Sequence, residues 1–267
     1  MTENRTITSV SGVEVGHWTD EENQTGTTVV VFPEPNVAAV EVRGAAPGSR
    51  ETALLAPGMR VEQIQAIVLS GGSAFGLATA DGVMRALEAD GRGQPTPFGH
   101  VPIVPAAVIF DLDSGRAENR PGPEAGASAY AARSNGPVEM GRVGAGAGAT
   151  VSNWRGQDAV QPSGLGSAVV DVDGLAVGAL AVVNAAGDVF SLEGSPLTGG
   201  APDPGPPASV LPPLTQTTLI VVAVAARLDR MALGRLSVRS QDALAACIRP
   251  SHTRYDGDIA FVVACGD

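Results

Sequence analysis

A proline-rich stretch followed at once by an apolar run constrains the fold of this chain more than any other feature. Residues 195–214 hold seven of the chain's 20 prolines, and this composition predicts a flexible, exposed linker without regular structure. The apolar, β-branched run "TTLIVVAVAARL" comes directly after it and is typical of a buried strand. The roughly 50 residues behind the linker are too few to fold alone. We therefore expect a single domain over residues 1–267, with this tail packed into its body as a central strand and a helix.

The rest of the chain predicts an α/β fold. Strands are expected in short stretches rich in valine, isoleucine and alanine, at 29–32, 37–42, 67–69, 168–172, 176–183 and 219–225. Helices are expected over 74–90, after a glycine turn, and over 228–248, with Asp229 as N-cap and Pro250 beyond the end. Aromatic residues make up only 4% of the chain, so small side chains must form the core. Such elements can pack closely.

The charge balance bears on partners and location. The net charge is -11, and all 17 basic residues are arginine, which argues against nucleic acid or an anionic membrane as a partner. The start "MTENRTITSV" has no apolar signal core, and no window approaches about 18 apolar residues. Cys247 and Cys265 show no ligand-like spacing. These features predict a soluble, cytoplasmic protein.

Several familiar catalytic devices have no signature in the sequence. The three histidines, His17, His100 and His252, are scattered without metal-type spacing. The GxSxG elbow of the α/β-hydrolases is missing, and the glycine turn within 69–88 lacks the lysine of a P-loop and the GxGxxG of a dinucleotide site. We expect neither a metal nor a cofactor.

Two glycine-rich stretches allow two interpretations each. Ser70, Gly71 and Gly72 precede a predicted helix and could cradle an anion, although a tight structural turn is the favoured interpretation. The stretch "GRVGAGAGATV" over 141–151 is not followed by a helical pattern. It favours close backbone packing, or a wall of main-chain amides, over nucleotide binding.

Two pairs of polar residues also have a simple and a functional interpretation. Thr217 and Thr218 could merely begin a strand, since threonine favours strands. If the chain were cut before Thr217, however, the new α-amine, with a pKa near ~8, could take the proton from its own hydroxyl and so activate a nucleophile. Asp256 and Asp258 flank Gly257, either as a turn that opens a strand or as two carboxylates facing one site.

A collinear set of segments resembles the L-aminopeptidase/D-esterase family, which includes β-peptidyl aminopeptidases and nylon-oligomer hydrolases. The matching segments are "GVEVGHWTDEENQTGTTVVVF", "VRGAAPGSRET", "LSGGSAFGLATADGVMRALE", "VPIVPAAVIFDL", "GRVGAGAGATV", "GLGSA", "VVNAAGDV", "TTLIVVAVAARL" and "RPSHTRYDGD". They span most of the chain in order, and the linker is the main part without a match.

The resemblance implies a four-layer α-β-β-α sandwich of the N-terminal-nucleophile type, made as an inactive precursor. It implies cleavage between Gln216 and Thr217 into chains 1–216 and 217–267, which stay together in one folded unit. Thr217 then matches the nucleophile, Asn184 the oxyanion-stabilising amide, and Asp256 and Asp258 the acidic pair that orients the nucleophile and its amine. The expected enzyme hydrolyses amides or esters of small molecules or short peptides as a homo-oligomer, and acyl transfer to another amine is the near alternative.

The chain departs from the family pattern at two positions. Gln216 stands where relatives usually carry asparagine, and Asn153 stands where they carry a lysine. Because the chain has no lysine at all, no other residue of that type replaces it. The alternative function is therefore an uncleaved homologue that serves as an oligomeric binding or scaffold protein.

Overall fold

The computed structural model describes residues 4–115, 117–199 and 216–266. Most of the linker predicted over 195–214 thus lies outside the described residues. Within them the strands are β1 (Glu14–Asp20), β2 (Thr25–Val31), β3 (Val37–Val42), β4 (Ser49–Arg50), β5 (Ala66–Ser70), β6 (Gln94–Thr96), β7 (Gly99–Val101), β8 (Ala106–Val108), β9 (Thr150–Val151), β10 (Gln161–Pro162), β11 (Leu165–Val172), β12 (Leu175–Asn184), β13 (Asp188–Val189), β14 (Thr217–Val224), β15 (Ile248–Arg249) and β16 (Ile259–Ala264). The α-helices are α1 (Thr79–Ala89), α2 (Pro123–Ala131) and α3 (Arg230–Cys247).

Two five-stranded sheets form the centre of the described structure. The first has the strand order β1-β2-β5-β8-β4 and the second β11-β12-β14-β16-β3. Their inner faces pack on each other through a core that includes Phe32, Ile67, Leu69, Leu219 and Phe261, all fully buried. Burial of this apolar surface is the main force that holds the sheets together.

Helices cover the two outer faces. Helices α1 and α2 pack on the first sheet through a second cluster that includes Val29, Val83 and Tyr130. Helix α3 packs on the second sheet, where Leu233 meets Val262. The order of layers is therefore α-β-β-α, which confirms the fold class expected from the sequence.

The tail of the chain supplies the centre of the second sheet. Strand β14 pairs antiparallel with β12 on one side and parallel with β16 on the other. Asp229 caps α3 as predicted, because its side chain accepts a hydrogen bond from the Ala232 N–H at 2.8 Å. The outer face of β14 is only partly covered, so Ile220 and Val222 stay half-buried. A wholly apolar central strand is expected to be buried on both faces, and the burial of β14 is incomplete on this one.

Other sequence expectations need correction. The single helix expected over 74–90 is a 3₁₀ turn, Ser73–Ala78, followed by α1, because Gly72 and Ser73 have left-handed backbones that prevent a regular start. Helix α2 was not anticipated, since its sequence "PEAGASAYA" carries only a weak amphipathic pattern. Glycines let α1 and α2 cross closely: a Cβ on Gly82 would overlap the Pro123 carbonyl.

The glycine-rich stretch 141–151 is used for close packing, as favoured above. A Cβ on Gly144 would overlap the Thr28 hydroxyl, and a Cβ on Gly148 would lie 2.6 Å from the Asp111 Cβ. The stretch therefore runs directly against the first sheet. It leads into β9, which borders the site described next.

Candidate active site

Thr217 and Asn184 face each other at one end of the second sheet. Thr217 is the first residue of β14 and Asn184 is the last residue of β12, and the strand register makes them direct partners. Both are buried, with relative exposures of 4% and 1%. Because side chains alternate along a strand, Thr217 points to the same face as the core residue Leu219. The pair therefore lies between the two sheets.

The Asn184 amide is held from both ends. Its carbonyl oxygen accepts from the Thr150 N–H at 2.9 Å, which identifies the other end as the NH₂ group. That nitrogen donates to the Phe110 carbonyl at 3.1 Å, just beyond β8 of the first sheet. Strand β9 and the segment that follows β8 thus fix the orientation of this donor.

Asn153 supports the orientation of the Asn184 amide indirectly, through Thr150. It is buried, and its side-chain nitrogen donates to the Thr150 hydroxyl at 3.2 Å and to the Ala185 carbonyl at 3.0 Å. Thr150 in turn binds Asn184. The position at which the family resemblance implies a lysine therefore lies beside the site, and here an amide occupies it.

The peptide bond before Thr217 is held by two donors. The Thr217 hydroxyl donates to the Gln216 carbonyl oxygen at 2.5 Å. The Gly257 N–H donates to the same oxygen at 3.1 Å. Gly257 must be glycine here, because a Cβ would lie 2.8 Å from the Pro47 Cα. The two donors draw electron density from this carbonyl, which makes its carbon a better electrophile.

Asp256 lies beside the same peptide bond. Its backbone forms a parallel bridge with Gln216, and its carboxylate accepts from the Thr253 N–H at 2.8 Å and the Ala186 N–H at 3.4 Å. Burial is the main cause that raises the pKa of Asp256, and the negative charge of Asp258 raises it further.

Asp258 binds the backbone just after the nucleophile candidate. One carboxylate oxygen accepts from the Thr218 N–H at 2.7 Å. The other lies 2.8 Å from Nδ1 of His252 and accepts from the His252 N–H at 3.1 Å. His252 was not singled out among the three histidines from the sequence. The signal that could have found it is its position in "SHTRYDGD", six residues before Asp258.

The turn formed by Ser70, Gly71 and Gly72 is engaged within the chain. The Gly72 N–H donates to Asp111 at 2.6 Å, the Gly71 N–H donates to the Gly26 carbonyl at 2.8 Å, and the Ser70 hydroxyl lies 2.9 Å from that of Thr27. These are the contacts of a structural turn, the favoured interpretation above. A role of these residues as auxiliary site residues remains a prediction.

Asp111 was missed from the sequence, although it stands in the matched segment "VPIVPAAVIFDL". It is 3% exposed and also accepts a hydrogen bond from the Thr25 hydroxyl at 2.7 Å. Burial raises its pKa to about 6, against the lowering effect of the Gly72 and Thr25 hydrogen bonds. The carboxyl group thus occupies the place of an anion at the glycine turn.

Among the described residues, no cluster of three or more histidine, cysteine, aspartate or glutamate side chains has the arrangement of a metal site. No helix of the described ranges combines the length and apolar character needed to cross a lipid bilayer.

Solved structures with the same fold define the class of protein. A Burkholderia sp. β-aminopeptidase superposes with a TM-score of 0.76 at 21% identity, covering 99% of this chain and 74% of the other. The L-aminopeptidase D-Ala-esterase/amidase of Ochrobactrum anthropi, described as a variant of the Ntn hydrolase fold, gives 0.74 at 18% identity, covering 98% and 74%. The fold is therefore that of the N-terminal-nucleophile hydrolases.

Sequence comparisons give the family. The model of peptidase family S58 matches residues 5–267, and the chain belongs to this family. A protein of Mycobacterium tuberculosis named as an uncharacterized aminopeptidase is 42% identical, covering 97% of this chain and 81% of the relative. The 6-aminohexanoate-oligomer endohydrolase of Kocuria sp. is 29% identical, covering 94% and 72%. The protein is an amide-hydrolysing enzyme of the aminopeptidase type.

Proposed function

We propose that this peptidase makes its own nucleophile by cutting the chain between Gln216 and Thr217, and then hydrolyses small amides through a threonyl acyl-enzyme. The observation that carries the proposal is the contact of the Thr217 hydroxyl with the Gln216 carbonyl, whose oxygen also accepts from the Gly257 N–H. A hydroxyl held against a polarised carbonyl is the starting arrangement for intramolecular attack.

Self-cleavage follows from this arrangement. The Thr217 oxygen attacks the Gln216 carbonyl carbon, the Gly257 N–H stabilises the developing oxyanion, and the hydroxyl proton passes to the leaving nitrogen. The C–N bond then breaks, which leaves an ester on the Thr217 oxygen and a free α-amine. Water hydrolyses the ester, and residue 216 becomes a chain end. No group outside the chain except water is consumed.

The same threonine then serves the substrate. The new α-amine, with a pKa near ~8, accepts the proton of the Thr217 hydroxyl as the oxygen attacks the substrate carbonyl. The Asn184 amide, fixed by Thr150 and Phe110, donates to the tetrahedral oxyanion. The amine returns the proton to the leaving group. Water then hydrolyses the acyl-enzyme, which releases the acid product and restores the Thr217 hydroxyl.

The acidic pair positions these groups and favours amine-bearing substrates. Asp258 fixes the backbone at Thr218, and Asp256 lies beside the cleaved bond. A buried pair of carboxyl groups next to the nucleophile attracts a cationic amine on the substrate. Amino-acid amides, short peptides and amide oligomers carry such a group, and the names of the mycobacterial and Kocuria relatives support these classes.

The two neighbouring threonines provide a matched test of the nucleophile. The Thr218 side chain points to the opposite face of β14, where its buried hydroxyl has no hydrogen-bond partner among the described residues. Thr217→Val and Thr218→Val therefore remove the same atoms on opposite faces of one strand. We expect Thr217→Val to abolish cleavage and hydrolysis and Thr218→Val to keep both, while Thr217→Ser restores cleavage.

Intact mass under denaturing conditions, followed by N-terminal sequencing, reads out the cut. The wild type is expected to give a fragment that begins "TTLIVV", whereas the uncut chain has a mass of 26.9 kDa. A single uncut species after long incubation, with no hydrolysis of amino-acid amides, would overturn the proposal. The scaffold interpretation would then replace it.

A further inference from the structure

His252 lies against the acidic pair in an unusual backbone conformation. Its φ is +54°, in the left-handed region that residues other than glycine rarely adopt. This conformation lets both its N–H and its ring face one oxygen of Asp258, with the Nδ1 atom at 2.8 Å and the backbone nitrogen at 3.1 Å. Two donors from one residue thus hold a single carboxylate oxygen.

The other ring nitrogen of His252 also faces an oxygen. Nε2 lies 3.4 Å from the Gln241 carbonyl of α3. A neutral imidazole donates from only one nitrogen, whereas a protonated ring donates from both. Because both nitrogens face acceptors, the geometry favours the imidazolium form.

Asp258 transmits this contact to the nucleophile. Its second carboxylate oxygen accepts from the Thr218 N–H at 2.7 Å, one residue after Thr217. A shift of the Asp258 side chain therefore moves the backbone that places the Thr217 hydroxyl against the Gln216 carbonyl. The connected groups run from α3 through His252 and Asp258 to the start of β14.

We propose that His252 is a positioning residue for the reaction: its imidazolium holds Asp258 in the orientation that fixes the backbone at Thr218 and places the Thr217 hydroxyl for attack. The inference rests on the function proposed above, because it assigns a part in that chemistry. His252 itself does not touch the reacting atoms.

The groups around His252 determine the direction in which its pKa is shifted. The Asp258 carboxylate faces it directly, the buried Asp256 lies close to Asp258, and Arg43 approaches from just beyond β3, paired with Glu41 at 3.0 Å. The hydrogen bond to Asp258 is the main cause that raises the pKa of His252, while burial and Arg43 lower it. His252 therefore holds its proton more firmly in the folded protein than in the unfolded chain.

The first test is NMR titration of the imidazole groups in the full-length protein. The chain has only three histidines, and burial lowers the pKa of His17 to about 4, which separates its signal from that of His252. We expect His252 to titrate above 6.5 and its pKa to fall in Asp258→Asn, because the partner charge is lost. A His252 signal that titrates at or below 6.5 would overturn the proposal.

The second test compares two substitutions with a control. His252→Asn keeps a donor near the place of Nδ1 and tolerates the left-handed backbone, but it carries no charge. His252→Ala removes the donor. Substitution of the exposed His100 by asparagine is the matched control. We expect His252→Ala to slow self-cleavage by roughly 10- to 100-fold, because the nucleophile is misplaced, and His252→Asn to retain most of the rate near neutral pH.

The pH profile separates positioning by charge from a purely structural role. Removal of a positive charge favours protonation of the neighbouring carboxylates, so the acid limb of the rate profile should move to higher pH in His252→Asn and not in His100→Asn. An unchanged acid limb in His252→Asn, or an unchanged rate in His252→Ala, with the wild type cleaving normally, would refute this inference alone. A wild type that never cleaves would instead refute the proposed function.

Discussion

Asn184 and Thr217 are direct partners on neighbouring antiparallel strands, although 33 positions separate them in the chain. Asn184 closes β12 and Thr217 opens β14, and both side chains lie between the two sheets. The amide orientation is fixed by Thr150 on one side and Phe110 on the other. A donor held in this way needs no reorganisation when negative charge develops beside it.

Removal of this donor should act on the transition state. We expect Asn184→Ala to lower kcat and kcat/KM by similar factors of roughly 10²–10³, because the oxyanion is stabilised only during reaction. Initial rates on an amino-acid amide, over a range of substrate concentrations, measure both constants. Asn135→Ala, at an exposed asparagine, is the control. A rise in KM with unchanged kcat would show that Asn184 binds the ground state instead.

Asn153 should support the site through its two hydrogen bonds. Asn153→Ala leaves the Thr150 hydroxyl and the Ala185 carbonyl without this donor, and we expect self-cleavage to slow by roughly tenfold, as the loss of a buried hydrogen bond implies. Asn153→Lys supplies donors to the same oxygens and should cleave at least as fast as the wild type. Time courses of fragment appearance by mass spectrometry compare the three proteins. Equal cleavage rates in the wild type, Asn153→Ala and Asn153→Lys would show that Asn153 does not support the site.

Asp111 should make the folded state more stable in acid. Its pKa in the folded protein is about 6 and its usual value is 3.8, so its stabilising contribution is complete below pH 3.8 and is lost as the pH rises through 6. The difference corresponds to about 3 kcal/mol. We expect the free energy of unfolding of Asp111→Asn to fall less than that of the wild type between pH 4 and 7.

Urea unfolding at several pH values measures this difference. Asp158→Asn, at an exposed position, should follow the wild-type curve. If the stability of Asp111→Asn also followed the wild-type curve, the carboxyl group of Asp111 would be ionised in the folded protein between pH 4 and 7. That result would contradict a pKa raised by burial.

Arg230 should anchor a long loop to the start of α3. It is 6% exposed, and its guanidinium donates to the carbonyls of Ala38, Leu54, Ala56, Met59 and Val61 at 2.6–3.3 Å. Arg230→Ala leaves these acceptors without that donor. We expect a loss of at least about 3 kcal/mol, which lowers the Tm by roughly 6–12 °C.

Calorimetry of Arg230→Ala and Arg235→Ala checks this prediction on one helix. Arg235 is exposed, so its removal should change the Tm by no more than about 2 °C. Equal Tm values for the two variants would mean that water replaces the guanidinium without cost.

Local patterns in the sequence were enough for much of the framework. The apolar run at 219–225 marked β14, and the short length of the tail required it to lie inside the body. Asp229 marked the start of α3. These features depend on the spacing of residues near one another in the chain, which propensity and alternation determine directly. Helix α2 was not predicted from the sequence, because its residues are mainly alanine and glycine and show no clear apolar face.

The composition of the site was decided by tertiary structure. Thr217, Asn184, Asp256 and Asp258 could be named from the sequence through a family resemblance, but the sequence did not show that Gly257 donates to the Gln216 carbonyl. The contacts of His252 with Asp258, and of Asp111 with the glycine turn, were equally hidden. The sequence by itself determined six strands of the two central sheets, the approximate extent of helices α1 and α3, and the place of the tail within the fold. Only the packing of two sheets and their loops decided which polar groups meet, because those contacts join residues from distant parts of the chain.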